Sequence, residues 1–180
     1  MKTATPWLLF CVLLFAGCNL NDVPDPRSIL NNKYDNKTIG LSLQFPSGWI
    51  LKTDQQIGTQ KADLVAVSAP VNGITPNVNV IFSTHTGTTD LYVILPQVRN
   101  QLVAAFPDFA NYSDTIYVAG NGAPVGKIKY TATSNGMQLK FLQVYIINKS
   151  KDIIITYTDG SGNFDLNTDI PSIDASMNIY

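Results

Sequence analysis

The chain contains no glutamate: all thirteen acidic residues of its 180 are aspartates. Glu is a good helix former, whereas the Asn, Thr, Gly and Asp that abound here favour caps, turns and loops. The composition therefore argues against a helical bundle and points to sheet. Charged residues make up only 14% of the chain, against roughly 25% in an average globular protein. The net charge of -1 gives no electrostatic footprint for nucleic acid or an acidic membrane surface. Cysteine is confined to Cys11 and Cys18, so residues 19–180 carry no disulfide framework and no thiolate metal site. Histidine occurs once, at His85, and with no Cys or Glu only Asp could join it around a metal, so no cofactor is expected. There is no Gly-x-Ser-x-Gly elbow and no Gly-Lys-Ser/Thr phosphate loop. The longest apolar run, residues 7–16, would span about 15 Å as a helix, half of a bilayer core of roughly 30 Å.

What is present begins with that run. Lys2 supplies a positive start, residues 7–16 an apolar core, and Ala16-Gly17 a small-residue exit before Cys18, the three parts of a secretory signal over residues 1–17. Leu14-Phe15-Ala16-Gly17-Cys18 resembles the bacterial lipobox, in which the cysteine is diacylated and becomes the mature N-terminus. Cys18 is thus the expected lipid attachment site, the alternative being an ordinary signal with an incidental cysteine. Two or more acyl chains anchor stably where one is marginal. By the same resemblance Asn19, in place of Asp, favours the outer membrane over the inner where both exist. Residues 18–36, with Pro24, Pro26 and many Asn and Asp, read as a flexible tether.

Apolar residues make up 45% of the chain, enough to bury a core, and residues 37–180 read as one domain. Leu41, Leu43 and Phe45 alternate with polar residues as a half-buried strand. Pro46-Ser47-Gly48 then predicts a hairpin turn, with residues 49–52 returning. Residues 62–69 read as a buried strand, and Val78, Val80 and Phe82 mark the next. Asp90 offers an N-cap to a helix whose apolar face is Leu91, Ile94, Leu95, Val98, Leu102, Ala105 and Phe106. Pro96 is expected to kink it or to open a second segment. Strands near 113–119, 125–133, 138–147 and 152–158 follow, separated by turn signals that include Asn135-Gly136. Lys127, Lys129 and Lys140 are expected on a solvated face or an edge. A short helix over about 165–173 and a last strand over 175–180 close the chain. The class is α+β, an antiparallel sheet with helices packed on its faces.

Gly40-Leu-Ser-Leu-Gln-Phe-Pro-Ser-Gly-Trp49, Asn77-Val-Asn-Val-Ile81 and the ending Ser176-Met-Asn-Ile-Tyr180 resemble the PsbP-like superfamily, which includes DcrB-like bacterial lipoproteins. The resemblance covers roughly residues 37–180. It implies an α/β/α sandwich and a role in binding partners rather than in catalysis, as in the extrinsic PsbP proteins of photosystem II, a Ran-binding import factor and many bacterial lipoproteins.

Three sets of residues are candidates for function. His85, in a polar loop, would need a Ser or Thr nucleophile and an orienting Asp to serve an envelope hydrolase. Asp159, Asn163 and Asp165 place oxygen-bearing side chains as in the first half of a calcium loop, but Phe164 and Ile170 stand where that loop needs Gly and Glu. The alternative is a glycine-rich turn with Asn163 or Asp165 capping the last helix. Tyr117, Tyr130, Tyr145 and Tyr157 all fall in the later strands, where they either pack across the sheet or share a binding face. The expected function is a lipid-anchored, non-enzymatic binding protein of the cell envelope, with a protein partner there.

Overall fold

The computed structural model describes residues 29–85, 87, 89–148 and 150–180. The signal segment, Cys18 and Asn19 lie outside the described residues. Eleven strands and two helices follow in the order β1 (Ile29–Leu30), β2 (Lys33–Asn36), β3 (Leu41–Gln44), β4 (Ile50–Ile57), β5 (Gln60–Val67), β6 (Asn77–Thr84), α1 (Leu91–Ala105), β7 (Ala110–Val118), β8 (Pro124–Ser134), β9 (Met137–Asn148), β10 (Lys151–Gly160), α2 (Asp169–Ala175) and β11 (Asn178–Ile179).

Seven strands form an antiparallel sheet in the order β4-β5-β6-β10-β9-β8-β7. The chain lays down β4 to β6, crosses one face as α1 to the far edge, and works back through β7, β8 and β9. The two runs meet where β10 pairs with β6, from Lys151 opposite Thr84 to Thr158 opposite Asn77. The β8–β9 turn is a two-residue loop, with Ser134 opposite Met137 and positive φ at Asn135 and Gly136, as an Asn-Gly hairpin requires.

Strand alternation sorts the apolar residues to the two faces. On β9, Phe141, Tyr145 and Ile147 turn toward α1 and its buried Leu91, Leu95, Val98 and Leu102. Leu142, Val144 and Ile146 turn the other way. Gly126 lets the helix approach, since a Cβ there would crowd the Leu95 side chain at 3.0 Å. The N-cap is Asp90, whose carboxylate accepts from the Tyr92 N–H. Pro96 sits inside an unbroken helix, so it opens no second segment. Ala105, expected on the inner face, is exposed.

The other face is covered by a four-stranded sheet, β1-β2-β3-β11, together with α2. Tyr34, Leu41, Leu43, Ile170, Ile173 and Ile179 join Val80, Val144 and Ile155 in one buried cluster. The molecule is thus sheet-dominated, with α1 on one face and, on the other, a small sheet to which the short α2 is added rather than a layer of helices alone. No helix among the described residues is long and apolar enough to cross a membrane.

Four expectations need correction. Residues 29–36 are no tether. Asn31 and Asn32, both at positive φ, turn β1 into β2, and Tyr34 is fully buried with its hydroxyl donating to Asp63. Next, β3 and β4 do not form a hairpin: β3 pairs with β2 and β11, while β4 pairs with β5. Pro46-Ser47-Gly48 is a corner between layers, and Ser42, expected on a polar phase, is buried with its neighbours. Third, α2 begins at Asp169, later than expected, and its N-cap Thr168 makes no side-chain cap bond. Residues 161–166 are turn. Of the three lysines, only Lys129 is exposed; Lys127 pairs with Asp174 and Lys140 with Asp165, both at 2.6 Å.

Candidate functional site

His85 follows β6 directly and is tied to the β9–β10 connection, its N–H donating to the Ser150 carbonyl at 2.8 Å. Its Nδ1 lies 2.6 Å from the Asp152 carboxylate and its Nε2 lies 2.9 Å from the Gly87 carbonyl. Both partners are acceptors only, so the arrangement fits an imidazolium donating from both nitrogens. The Asp152 hydrogen bond raises the His85 pKa, helped by the Gly87 carbonyl and the Asp152 charge and opposed by desolvation. A hydrolase would supply the Asp but also needs Nε2 free to take a proton from a hydroxyl. Here Nε2 is committed to a backbone carbonyl, and among the described residues no Ser or Thr hydroxyl bonds to the ring. The geometry makes His85 a pin between β10 and the loop that leads into α1.

A raised folded-state pKa means that the pin stabilises fully below the ordinary histidine value near 6.5 and loses that contribution as pH rises through the folded value. Because His85 is the lone histidine, its ring resonances can be followed without assignment. A proton NMR titration is expected to give a midpoint above 6.5, and Asp152→Asn should lower it. A midpoint at or below 6.5 in the native chain would refute the pin.

The Asp159 segment does not gather ligands. Asp159 is fully buried, one carboxylate oxygen accepting from the Gly160 N–H at 2.7 Å and the other from Asn167 Nδ2 at 2.9 Å. Asn163 turns to the 71–74 loop, accepting from Asn72 at 3.2 Å and donating to the Val71 carbonyl. Asp165 is drawn off by Lys140. Three side chains committed in three directions leave a turn held by local bonds. No group of three or more His, Cys, Asp or Glu among the described residues could hold a metal ion.

The four tyrosines do not share a face. Tyr130 and Tyr145 belong to the cluster under α1, whereas Tyr157 and the half-buried Tyr117 belong to the opposite cluster. The register decides this, since paired residues share a face: Tyr130 lies opposite Phe141, on the same side of β9 as Tyr145, whereas Tyr157 lies opposite Leu142 on the other side. Tyr130 stacks on Phe141 at 4.8 Å between centroids, and burial raises the Tyr157 pKa well above its usual value. They are core residues, not a binding surface.

What sequence reasoning missed is polar. Asn77, Asn79, Gln143, Thr156 and Thr158 are all buried on the α1 face of the large sheet. The available signal was in Asn77-Val-Asn-Val, where both phases of the alternation turn inward, so the asparagines are as deeply placed as the valines.

No family model matches the chain, and no curated protein matches it. Solved structures do. The chain is similar to the cyanobacterial PsbP (CyanoP) of Synechocystis sp. PCC 6803, with a TM-score of 0.59 and 16% identity over 92% of this chain and 99% of that one. It is also similar to LpqN, involved in cell envelope biogenesis of Mycobacterium tuberculosis, with a TM-score of 0.54 and 15% identity over 77% of this chain and 82% of that one. At such identities the likeness concerns fold, and it agrees with the long antiparallel sheet, the crossing helix and the covering layer: the chain has a PsbP-like fold.

Proposed function

We propose that this chain is a lipid-anchored accessory or binding protein of the bacterial cell envelope, acting by holding a partner rather than by catalysis. The observation that carries the proposal is Cys18, placed at the exit of a ten-residue apolar run and eleven residues ahead of Ile29, the first described residue of the fold. An acylated Cys18 could not let Ile29 stray more than about 37 Å, at roughly 3.4 Å per extended residue. The partner is therefore held at or near the same membrane, and Asn19 favours the outer one where two exist.

The use of the chemistry-bearing side chains supports a non-catalytic role. His85 is spent on Asp152 and Gly87, the tyrosines on the two cores, and the Asp159 segment on its own turn. The likeness to LpqN, a protein of envelope biogenesis, is in keeping with an envelope address. The test is co-purification of the full-length chain from detergent-solubilised membranes. A stoichiometric protein partner is expected with the native chain and should be depleted with Cys18→Ser, which would leave the membrane fraction. Recovery of the chain alone under varied mild detergents would overturn the binding role.

A further inference from the structure

The sheet face that carries α1 is apolar at its two ends and polar between them. One buried cluster lies under α1, around Leu95, Ile128 and Tyr145, and a separate one, Ile57, Ala62 and Val65, lies at the β4–β5 end. Between them the register sets Asn79 opposite Val65 on one side and Thr156 on the other, with Thr156 opposite Gln143. One step along, Asn77 faces Thr158. Directly paired residues share a face, so these side chains form a continuous polar floor across β6, β10 and β9. Asn79, Thr156 and Gln143 are each 1% exposed, and Asn77 and Thr158 are each 3% exposed.

Part of this floor is self-satisfied. Gln143 donates to Thr156 Oγ1 at 3.4 Å and accepts from the Tyr145 hydroxyl at 2.9 Å. Asn77 donates to the Thr75 carbonyl at 3.2 Å. The amide oxygens of Asn77 and Asn79, however, are buried with no hydrogen-bond partner. A buried acceptor left unmet is unfavourable, and a valine in its place would avoid the cost. Two such acceptors, two residues apart on one strand, point to something that brings donors to them. Around the floor, Val67, Ile81, Ile94 and Ile154 are half-buried, an aliphatic rim packed against the two clusters.

We propose that this floor is the base of a binding site for an uncharged ligand with an apolar body and two hydroxyl or N–H donors. The donors meet Asn77 and Asn79, whose spacing along the strand is roughly 7 Å, and the body lies against the aliphatic rim. A cationic ligand is disfavoured because the floor's own side chains are uncharged amides and hydroxyls, which offer nothing to offset a charge taken out of water. A polar base with apolar walls is the usual make-up of a small-molecule site. The proposal is independent of lipid attachment and of any protein partner.

The probe is trans-1,4-cyclohexanediol, with its dimethyl ether as the donor-free control, titrated into the full-length chain while the side-chain amide signals of Asn77 and Asn79 are followed by NMR. Saturable shifts of both signals by the diol, at least tenfold weaker binding of the ether, and a tenfold or greater loss in Asn79→Val would bear the site out. Absence of saturable shifts with the diol, equal binding of the ether, or unchanged binding in a folded Asn79→Val would overturn it. Should that variant fail to fold, Asn77→Val takes its place, and the diol-against-ether comparison on the native chain decides by itself.

Discussion

Replacing Gly40 by alanine is expected to cost about 2–5 kcal/mol, a large share of the 5–15 kcal/mol typical of a domain this size. Gly40 turns the chain between β2 and β3 at a φ of +65°, a left-handed conformation that disfavours any Cβ. The position is also crowded: a Cβ would be driven into the Tyr180 backbone carbonyl and would lie 2.7 Å from Asn148 Nδ2. Those neighbours cannot easily retreat. Asn148 is buried and donates to the carbonyls of Ile39 and Tyr180 at 3.1 and 3.3 Å, while Tyr180 N–H donates to Gly40 itself at 3.0 Å. Gly40 is thus the point where the β2–β3 turn, the end of β9 and the chain terminus meet. Gly136→Ala supplies the control. Its φ of +74° is equally left-handed, but nothing lies within 4 Å of its would-be Cβ, so only the conformational cost of about 1–2 kcal/mol applies. Urea denaturation followed by Trp49 fluorescence would compare the two. Equal losses would show that crowding at Gly40 contributes nothing.

Trp49→Ala is expected to cost about 3–5 kcal/mol, as large aromatic deletions from cores do. Trp49 is 5% exposed and lies at the corner where the chain leaves the small sheet for the large one. Its ring packs on Phe45 at 5.7 Å between centroids, and its indole N–H donates to Asp169 at 2.9 Å, fastening the first residue of α2 to that corner. Trp49→Phe keeps most of the packing and loses the hydrogen bond. It is expected to cost about 1–2 kcal/mol, the range for a bond to a half-exposed carboxylate. Far-UV circular dichroism during denaturation reads both variants, since the fluorescent probe itself is removed. A Trp49→Phe variant as unstable as Trp49→Ala would mean that the bond to Asp169, rather than packing, holds the corner.

Much of the large sheet was legible because its signals are local. Asn135-Gly136 demands positive φ at two successive residues, which leaves little but a two-residue hairpin. The run from Leu139 to Ile147 is apolar at seven of its nine positions and bounded by turn signals, so a buried strand of that length follows from it. Asp90 and the apolar stripe of α1 are likewise readable from spacing alone. The small sheet was harder, since its strands are two to four residues long and carry too few apolar positions to show a period. Tyr34, the lone large residue in a polar stretch, buries itself against partners distant in sequence, Asp63 among them. Asn31-Asn32 was a usable hairpin signal that a polar composition concealed. Pro46-Ser47-Gly48 shows the converse, a strong turn signal that serves a change of layer.

The site was less legible than the fold, for a physical reason. Residue type alone does not tell which face of a strand is buried when both faces are covered. The tyrosines of β7 to β10 look like a row in sequence and divide between two cores in space. Asn77 and Asn79 look like the outer phase of an amphipathic strand, yet the structure buries both. His85 is a structural pin only because the fold brings Asp152, distant in sequence, to one ring nitrogen and the Gly87 carbonyl to the other.

Mass spectrometry of the mature chain, purified in detergent from membranes, tests the envelope role most directly. The N-terminal peptide is predicted to begin at Cys18 and to carry the mass of two or three acyl chains on that residue. A mature chain that begins elsewhere, or one that begins at an unmodified Cys18, would contradict it.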